Sequence, residues 1–223
     1  MKIKLDKKGQ EVFDLINTRL DKSNNYIVGG YIRDILLGRK TSDIDFSTDC
    51  DPSSVASFFP YGHYFEKFGT VSFTLNDVKI TIASMRKEKI YSDYRHPTSV
   101  EFVKSIDDDY IRRDFRINSL YLDSSLEIID PTKYGLYDIE NKQIVFIGNA
   151  KKRIIEDPLR IIRAYRFAYD LGFSIDYNLE KTMFKYKHLI KKLNPIKVLE
   201  EVNKVDTDKK SDLIKRLQLD EIL

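Results

Sequence analysis

The sequence contains a single cysteine, Cys50, among 223 residues, so it can form neither an internal disulfide nor a cysteine-based zinc cluster. Its three histidines are too far apart in the chain to suggest a metal site. No apolar run approaches the roughly 20 residues that span a bilayer. The first eight residues lack the apolar stretch and cleavage site of a secretion signal, so we expect a cytoplasmic protein without membrane contact.

The composition is that of an ordinary soluble protein with a buried core. Hydrophobic residues make up 42% of the chain and charged residues 33%. The formal net charge of +3 suits a polyanionic partner without requiring one. Lysines are frequent between Lys181 and Lys215, where the simplest interpretation is the solvated face of helices.

Residue patterns predict helices and strands in mixed order over the first part of the chain. The predicted helices are residues 8–20 and 31–37, and the predicted strands are 26–28 and 43–46. Asp51 and Pro52 predict the N-cap and first position of another helix, which runs through Phe59. Asn76 and Asp77 predict a hairpin turn between two β-branched runs.

The later segments predict a change to helical structure. Residues 86–98 are charged and contain Pro97, so we expect a mobile loop. Ser105 begins a capping-box pattern that predicts a helix through Asn118. Residues 126–147 indicate short strands and turns, and helices follow. The expected fold class is therefore α+β, with a head at residues 1–148 and a helical neck at 149–223.

Two sequence motifs near the start combine glycines with carboxylates. Gly29 and Gly30 open a predicted helix, where free N–H groups are accessible to a triphosphate. Asp43 and Asp45 alternate in a strand, so their side chains share one face and can hold two divalent ions. The spacing alone is weak evidence, because residues 49–51 repeat it and surface aspartates after a tight turn are the alternative.

A third motif spans residues 112–118, on the predicted helix. Arg113 has the fork of donors that binds phosphate oxygens. Asp114 can accept a hydrogen bond from a ribose 2′-hydroxyl, which distinguishes ribonucleotides from deoxyribonucleotides. The alternative is a helix face held by salt bridges.

A fourth motif spans residues 156–166, also predicted to be helical. Helical spacing places Asp157 and Arg160 on one side with Ala164, opposite a side formed by Ile155, Leu159 and Ile162. An acid that accepts from an exocyclic amino group, beside an arginine that donates to a ring nitrogen, would take ATP and CTP and reject GTP and UTP. An ordinary surface ion pair is the alternative.

In this order and spacing, the motifs resemble the family of class II tRNA nucleotidyltransferases (CCA-adding enzymes) and bacterial poly(A) polymerases. The similarity runs from about Tyr26 to Ile175 and includes residues 91–97, which look like the family's flexible loop. It implies a head that resembles polymerase β, followed by a helical neck. The implied activity is template-independent addition of CMP and AMP to the 3′ end of tRNA.

The resemblance also assigns roles to individual residues. Asp43 and Asp45 would be catalytic and would hold two Mg²⁺ ions, which Mn²⁺ can replace. The nucleotide-binding residues would be Gly29, Gly30, Arg33, Arg113, Asp114, Asn118, Asp157, Arg160 and Arg163. Asp93 and Arg95 would help the loop reposition the reaction centre when the enzyme changes from CTP to ATP.

Two departures from the family pattern affect these expectations. Thr81 stands where members usually carry a further acidic residue. Members also continue into a longer helical body and tail that grip tRNA, so we expect that part to be largely missing. The lysine-rich neck, a homo-oligomer or a separate RNA-binding subunit would then replace it. Addition of only A or only CC, poly(A) synthesis, and a partner-dependent or inactive RNA-binding relative remain alternatives.

Overall fold

The computed structural model describes residues 1–91, 94, 97–220 and 222. Its helices are α1 (Lys7–Arg19), α2 (Gly30–Leu36), α3 (Pro52–Phe58), α4 (Ile106–Asp109), α5 (Gly135–Glu140), α6 (Ala150–Glu156), α7 (Leu159–Leu171), α8 (Tyr177–Tyr186), α9 (Pro195–Val202) and α10 (Thr207–Leu217). Its strands are β1 (Asn25–Val28), β2 (Asp43–Thr48), β3 (His63–Phe65), β4 (Thr70–Leu75), β5 (Val78–Ser84), β6 (Arg86–Tyr91), β7 (Pro97–Phe102), β8 (Tyr121–Leu122), β9 (Ile128–Ile129), β10 (Gln143–Ile144) and β11 (Ser174–Ile175). The mixture confirms the predicted α+β class.

The chain divides into two compact units. The first consists of Met1–Glu88, Val100–Arg113 and Ile117–Leu136. The second consists of Lys89–Ser99, Asp114–Arg116 and Tyr137–Leu223. Asp93 and Arg95, which were assigned to a flexible loop, lie outside the described residues.

A seven-stranded sheet in the order β3-β4-β5-β2-β1-β8-β9 organises the first unit. Strands β2 and β5 are parallel, whereas the other neighbours are antiparallel. In β2, Ile44 and Phe46 are buried while Asp43 and Asp45 are exposed, as expected from strand alternation. Helix α1 covers the buried face, where the Phe13 and Phe46 rings stack with centroids 6.5 Å apart.

Asn76 and Asp77 form the predicted hairpin turn between β4 and β5. Both residues have positive φ, at 49° and 63°, which is the conformation of a two-residue turn that matches strand twist. Leu75 and Val78 pair across the turn. The turn therefore fixes the register of β5, which in turn pairs with β2.

Two predictions about local structure were wrong. Of the residues expected to form a mobile loop, 86–91 belong to β6 and 97–98 to β7, and the two strands pair with each other; Pro97 is tolerated because it is the first residue of its strand. Helix α5 lies in the region expected to hold only strands and turns. Asp51 is the N-cap of α3 and Pro52 its first residue, as predicted, although the Asp51 carboxylate accepts a 2.9 Å hydrogen bond from Lys104 and none from the helix backbone.

The helix predicted through Asn118 is also interrupted. Ser105 caps α4 as expected, accepting a hydrogen bond from the backbone of Asp107, but α4 ends at Asp109. Two short 3₁₀ turns follow, separated by residues 113–115, of which Arg113 is extended. The chain passes from the first unit to the second at Asp114 and returns to the first at Ile117.

Helix α7 forms the centre of the second unit and is buried along most of its length. Phe115 packs its ring against Phe146 and Phe167, at centroid distances of 5.1 and 5.4 Å. Pro158 separates α6 from α7, although the sequence pattern predicts one helix from about residue 149 to 171. No helix in the described part of the chain is long and apolar enough to cross a membrane.

Candidate functional site

The first unit brings its paired carboxylates to one exposed face of the sheet, as predicted. Lys79 on β5 places its ammonium nitrogen 3.6 Å from Asp43 Oδ2. Thr81, also on β5, pairs with Asp45 across the strands, and its hydroxyl hydrogen-bonds to that carboxylate. Thr81 therefore occupies the position beside the acids where the sequence comparison expected a further carboxylate.

The electrostatic environment of the pair favours a bound cation. The pKa of Asp45 is raised, mainly because the surrounding protein removes water from its carboxylate and secondly because Asp43 is negatively charged. The positive charges of Arg113 and Lys79 oppose this rise. Carboxylate oxygens are the ligands that Mg²⁺ prefers. The residues therefore fit a divalent ion, while no third His, Cys, Asp or Glu joins them within the described residues.

Gly29 lies directly beside Asp45. Its φ of 86° is one that residues with a side chain rarely adopt, and a Cβ there would lie 3.7 Å from Asp45 Oδ2. The backbone can therefore turn from β1 into α2 at this point. The glycine motif therefore meets the acids at Gly29.

Arg33 and Asn118 meet although they are 85 positions apart. Arg33 Nη1 donates a 2.6 Å hydrogen bond to Asn118 Oδ1, and Arg33 Nη2 donates to both carboxylate oxygens of Asp34. Arg33 is buried, in the last turn of α2. These contacts fix the guanidinium, and the sequence motif alone did not indicate that Asp34 holds it.

Arg113 is anchored by Asp109, a carboxylate that the sequence analysis missed. Arg113 donates to Asp109 Oδ2 at 2.9 Å and to the Tyr121 hydroxyl at 2.9 Å. Asp109 is fully buried, yet Arg112 and Arg113 outweigh the effect of burial and lower its pKa. Burial also favours the neutral form of Arg113 and so lowers its pKa, but Tyr121 and Asp109 outweigh this effect and raise that pKa. The spacing of Asp109 three and four residues before two arginines is the signal that would have revealed it.

The second unit joins Asp114 to Arg163 of α7. Arg163 Nε donates a 2.7 Å hydrogen bond to Asp114 Oδ2, and Nη2 makes a shorter contact with the same oxygen. The Phe115 backbone donates to the other carboxylate oxygen at 2.8 Å. Burial raises the pKa of Asp114, but the charge of Arg163 outweighs it and holds that pKa below its ordinary value.

Glu201 of α9 is a further carboxylate that the sequence analysis missed. It is buried and lies 2.9 Å from Arg166 Nε and 3.9 Å from Arg163 Nη1. Val198 and Val202 share its helix face, so a carboxylate within an apolar stripe was the available signal. Glu201 thus supports two arginines of α7 from a neighbouring helix.

The predicted arrangement of Asp157 and Arg160 on one helix is wrong. Asp157 is extended, with φ of −151°, and its carboxylate accepts a 3.1 Å hydrogen bond from the Leu159 backbone at the start of α7. Arg160 is buried and Nη1 donates to the Arg153 carbonyl and to Glu156. The break at Pro158 is the reason, since it removes the helical spacing between the two residues.

The two predicted faces of this segment also differ from expectation. Leu159 and Ile162 are buried, as are Arg160 and Ala164, whereas Ile155 is 41% exposed. The negative charge of Asp157 nevertheless helps to raise the pKa of Arg163. In the same way, the positive charge of Arg160 helps to lower the pKa of Asp114. The second unit therefore gathers these four predicted nucleotide-binding residues, in a different geometry from the one predicted.

Comparisons with known proteins identify the family. The family model described as the poly A polymerase head domain matches residues 25–145, more than half of the chain. A CCA-adding enzyme of Streptococcus uberis (strain ATCC BAA-854 / 0140J) is 38% identical over 181 residues, which cover 81% of this chain and 45% of that protein. The chain thus spans about half the length of the curated relatives it matches.

Solved structures agree with this assignment. The Bacillus stearothermophilus CCA-adding enzyme in complex with CTP has a TM-score of 0.85 at 29% identity, covering 98% of this chain and 54% of that one. A tRNA nucleotidyltransferase complexed with a primer tRNA and an incoming ATP analogue has a TM-score of 0.75 at 28% identity, covering 95% and 62%. The matched head-domain model confirms the resemblance that the motifs indicated. The chain belongs to the poly A polymerase head-domain family.

Proposed function

We propose that this protein is a template-independent RNA nucleotidyltransferase that adds CMP and AMP to the 3′ end of tRNA. The observation that carries the proposal is the pair Asp43 and Asp45, exposed on one sheet face beside Gly29. The relatives support the substrate class, since one is named for CCA addition and a similar structure contains a primer tRNA with an ATP analogue.

Asp43 and Asp45 are the residues that would hold two divalent ions, Mg²⁺ or Mn²⁺. Such ions supply activation of the RNA 3′-hydroxyl and stabilisation of the leaving pyrophosphate. The carboxylates that would hold the ions have partners of their own: Lys79 forms an ion pair with Asp43, and Thr81 hydrogen-bonds to Asp45. The mutual repulsion that raises the pKa of Asp45 would be relieved when the ions bind.

Arginines that are already fixed in place would position the nucleotide. Arg33 and Asn118 form one rigid pair, and Arg113 is locked by Asp109. Preorganised donors of this kind stabilise developing phosphate charge without reorganising during the reaction. These residues would therefore contact the triphosphate in the proposed reaction.

Sugar and base selection belong to the second unit in this proposal. Asp114, oriented by Arg163, would accept a hydrogen bond from the ribose 2′-hydroxyl. Both hydrogen bonds that Arg160 makes with the described residues use Nη1, so Nε and Nη2 can donate to a ring nitrogen. Asp157 would accept from the exocyclic amino group that adenine and cytosine share.

The test is incorporation of labelled nucleotides into tRNA transcripts that end at the discriminator base, after C, or after CC. Each nucleotide is supplied alone and then all four together, with Mg²⁺, and products are resolved to single nucleotides. Addition that stops at CCA establishes full CCA synthesis. Addition of A to the CC form alone shows an A-adding enzyme, and addition that stops after CC shows a CC-adding one.

Two other outcomes would contradict the proposal. A long ladder of A residues would assign poly(A) synthesis, the activity for which the matched family model is named. No product from any transcript would indicate an RNA-binding relative that is inactive or needs a partner. Repeating the assay across protein concentrations distinguishes a homo-oligomer, whose specific activity rises with concentration, from a chain that needs a separate RNA-binding subunit.

A further inference from the structure

The sheet face that carries Asp43 and Asp45 extends across three more strands to the edge of the sheet. The register pairs Asp45 with Thr81, Thr81 with Ser72, and Ser72 with His63, so these four residues form one row. Paired residues in a sheet point to the same side. All four are exposed or half-exposed. The row therefore connects the acids to β3 over a surface that solvent reaches.

The far end of this row is aromatic. His63 and Phe65 alternate along β3 and so lie on the same face, with ring centroids 4.2 Å apart and planes 28° apart. Phe65 is 48% exposed. We call these two residues the aromatic edge. A large ring in this position offers a π-face for stacking, which is the contact that proteins use to bind unpaired bases.

Between the aromatic edge and the acids, the face is polar and carries hydroxyl groups. Thr70, Ser72 and Thr74 of β4 alternate on it, and Thr81 of β5 continues it. Hydroxyls can both donate to phosphate oxygens and accept from 2′-hydroxyls. Lys67, exposed just beyond β3, adds a positive charge near the aromatic edge. The surface thus offers contacts to RNA that do not depend on base sequence.

We propose that this face guides the unpaired 3′ end of the RNA acceptor from the aromatic edge to Asp43 and Asp45. A base a few nucleotides before the 3′-hydroxyl stacks on Phe65. Three strand spacings separate His63 from Asp45, roughly 14 Å. Stacking accepts any base, so the same platform serves an end whose sequence changes with each addition. The inference rests on the proposed function and specifies where that site binds its RNA.

The experiment uses the full chain and a short single-stranded RNA that carries 2-aminopurine at the third position from its 3′ end. Stacking quenches the fluorescence of this base, so titration gives both the Kd and the extent of stacking, without nucleotide present. We expect His63→Ala with Phe65→Ala to remove the quenching and weaken binding about tenfold. Phe65→Trp should retain both, since it keeps an aromatic face.

A matched control and a kinetic measurement separate stacking from a structural effect. Phe58→Ala removes a ring that is 46% exposed but lies on α3, away from this face, so binding should match the unaltered protein. In the extension assay, the double variant should raise the KM for RNA about tenfold while the KM for CTP and kcat stay unchanged. Phe65→Gln, which retains His63, provides the same test if the double variant does not fold.

The outcomes distinguish this inference from the function on which it rests. Unchanged quenching and Kd in a double variant that still extends RNA would overturn the RNA path and leave the proposed function intact. Quenching by the unaltered protein, without extension of any transcript, would overturn the proposed function. Loss of extension in the double variant through a higher KM for CTP would also overturn the path, because the aromatic edge would then act on the nucleotide.

Discussion

Asp45 in the first unit and Asp114 in the second are both acids assigned to the same proposed reaction, yet their environments are opposite. Partial removal of water by the surrounding protein and the charge of Asp43 raise the pKa of Asp45, whereas the charge of Arg163 outweighs the burial of Asp114 and lowers its pKa. Asp114 is thus supplied with a cation by its own unit. Asp45 faces another carboxylate, and Arg113 and Lys79 offset that negative charge only in part, so a cation from solution would stabilise it further.

The largest effect should come from removing the acid that depends on such a cation. Asp43→Ala should lower incorporation by at least about a thousandfold, because two-metal stabilisation contributes several kcal/mol. RNA binding should change little. The measurement is single-turnover extension, paired with a binding titration.

The chain provides a matched control for that variant. Asp51 has the same spacing in residues 49–51, but it is exposed and paired with Lys104. Asp51→Ala should extend RNA at the native rate. Equal activity of Asp43→Ala and Asp51→Ala would remove the two-metal proposal and with it the contrast between the two acids.

A large effect on stability should follow from altering an acid that already has its cations. Asp109→Asn leaves Arg112 and Arg113 without their buried partner, and we expect a loss of about 3–5 kcal/mol in the free energy of unfolding. Chemical denaturation measures it. Asp107→Asn, on the same short helix but exposed, should be nearly neutral. Similar losses of unfolding free energy in both variants would mean that the burial of Asp109 does not determine the size of the loss.

The same acid should contribute to the pH dependence of stability. Because the pKa of Asp109 is lowered in the folded state, its contribution is fully present above the unfolded value of about 4 and is lost as pH falls through the folded value. The unaltered protein should lose stability below about pH 4, and Asp109→Asn should show a shallower decline. Parallel declines in the two proteins would contradict the lowered pKa.

An intermediate effect is expected on the choice of nucleotide. Arg160→Ala should raise incorporation of UTP or GTP relative to CTP by roughly 10- to 100-fold, since it removes a charged donor to the base. Competition between labelled nucleotides gives the ratio. Arg166→Ala, another arginine of α7, should leave it unchanged. If Arg160→Ala keeps its selectivity, the assignment of base reading to α7 is wrong.

The smallest effect should come from Thr81. Thr81→Asp adds a carboxylate beside Asp45, so the Mg²⁺ concentration for half-maximal activity should fall several-fold, as expected for one more oxygen ligand of negative charge. Thr81→Asn, of similar size but neutral, should not lower it. A magnesium titration of both variants shows whether position 81 can supply a metal ligand or has no influence on metal binding.

Sequence patterns predicted the first unit best where local and tertiary preferences agree. Alternation in β2 and the two-residue turn at Asn76 and Asp77 each determine their structure locally, so both predictions were confirmed. Where a distant contact decides, prediction failed: β6, which is rich in charge, and β7, which begins with proline, are held by pairing with each other. Their propensity alone indicates a loop.

The candidate site shows the same division. Asp43 and Asp45 could be placed on one face because alternation within a single strand determines it. Asp109 and Glu201, which pair with the arginines, were missed because their contacts depend on how the chain folds. Asp157 and Arg160 were recognised as residues but misplaced in geometry. Pro158 ends the helical spacing on which that prediction relied.

The way the chain alternates between its two units has a consequence for folding and for cutting the protein. Phe115 belongs to the second unit although it lies between two segments of the first, and its ring packs on Phe146 and Phe167. A fragment that ends at Leu136 would leave that ring without either partner. Neither unit is therefore a contiguous fragment of the chain, so no single cut of the backbone can release one of them complete.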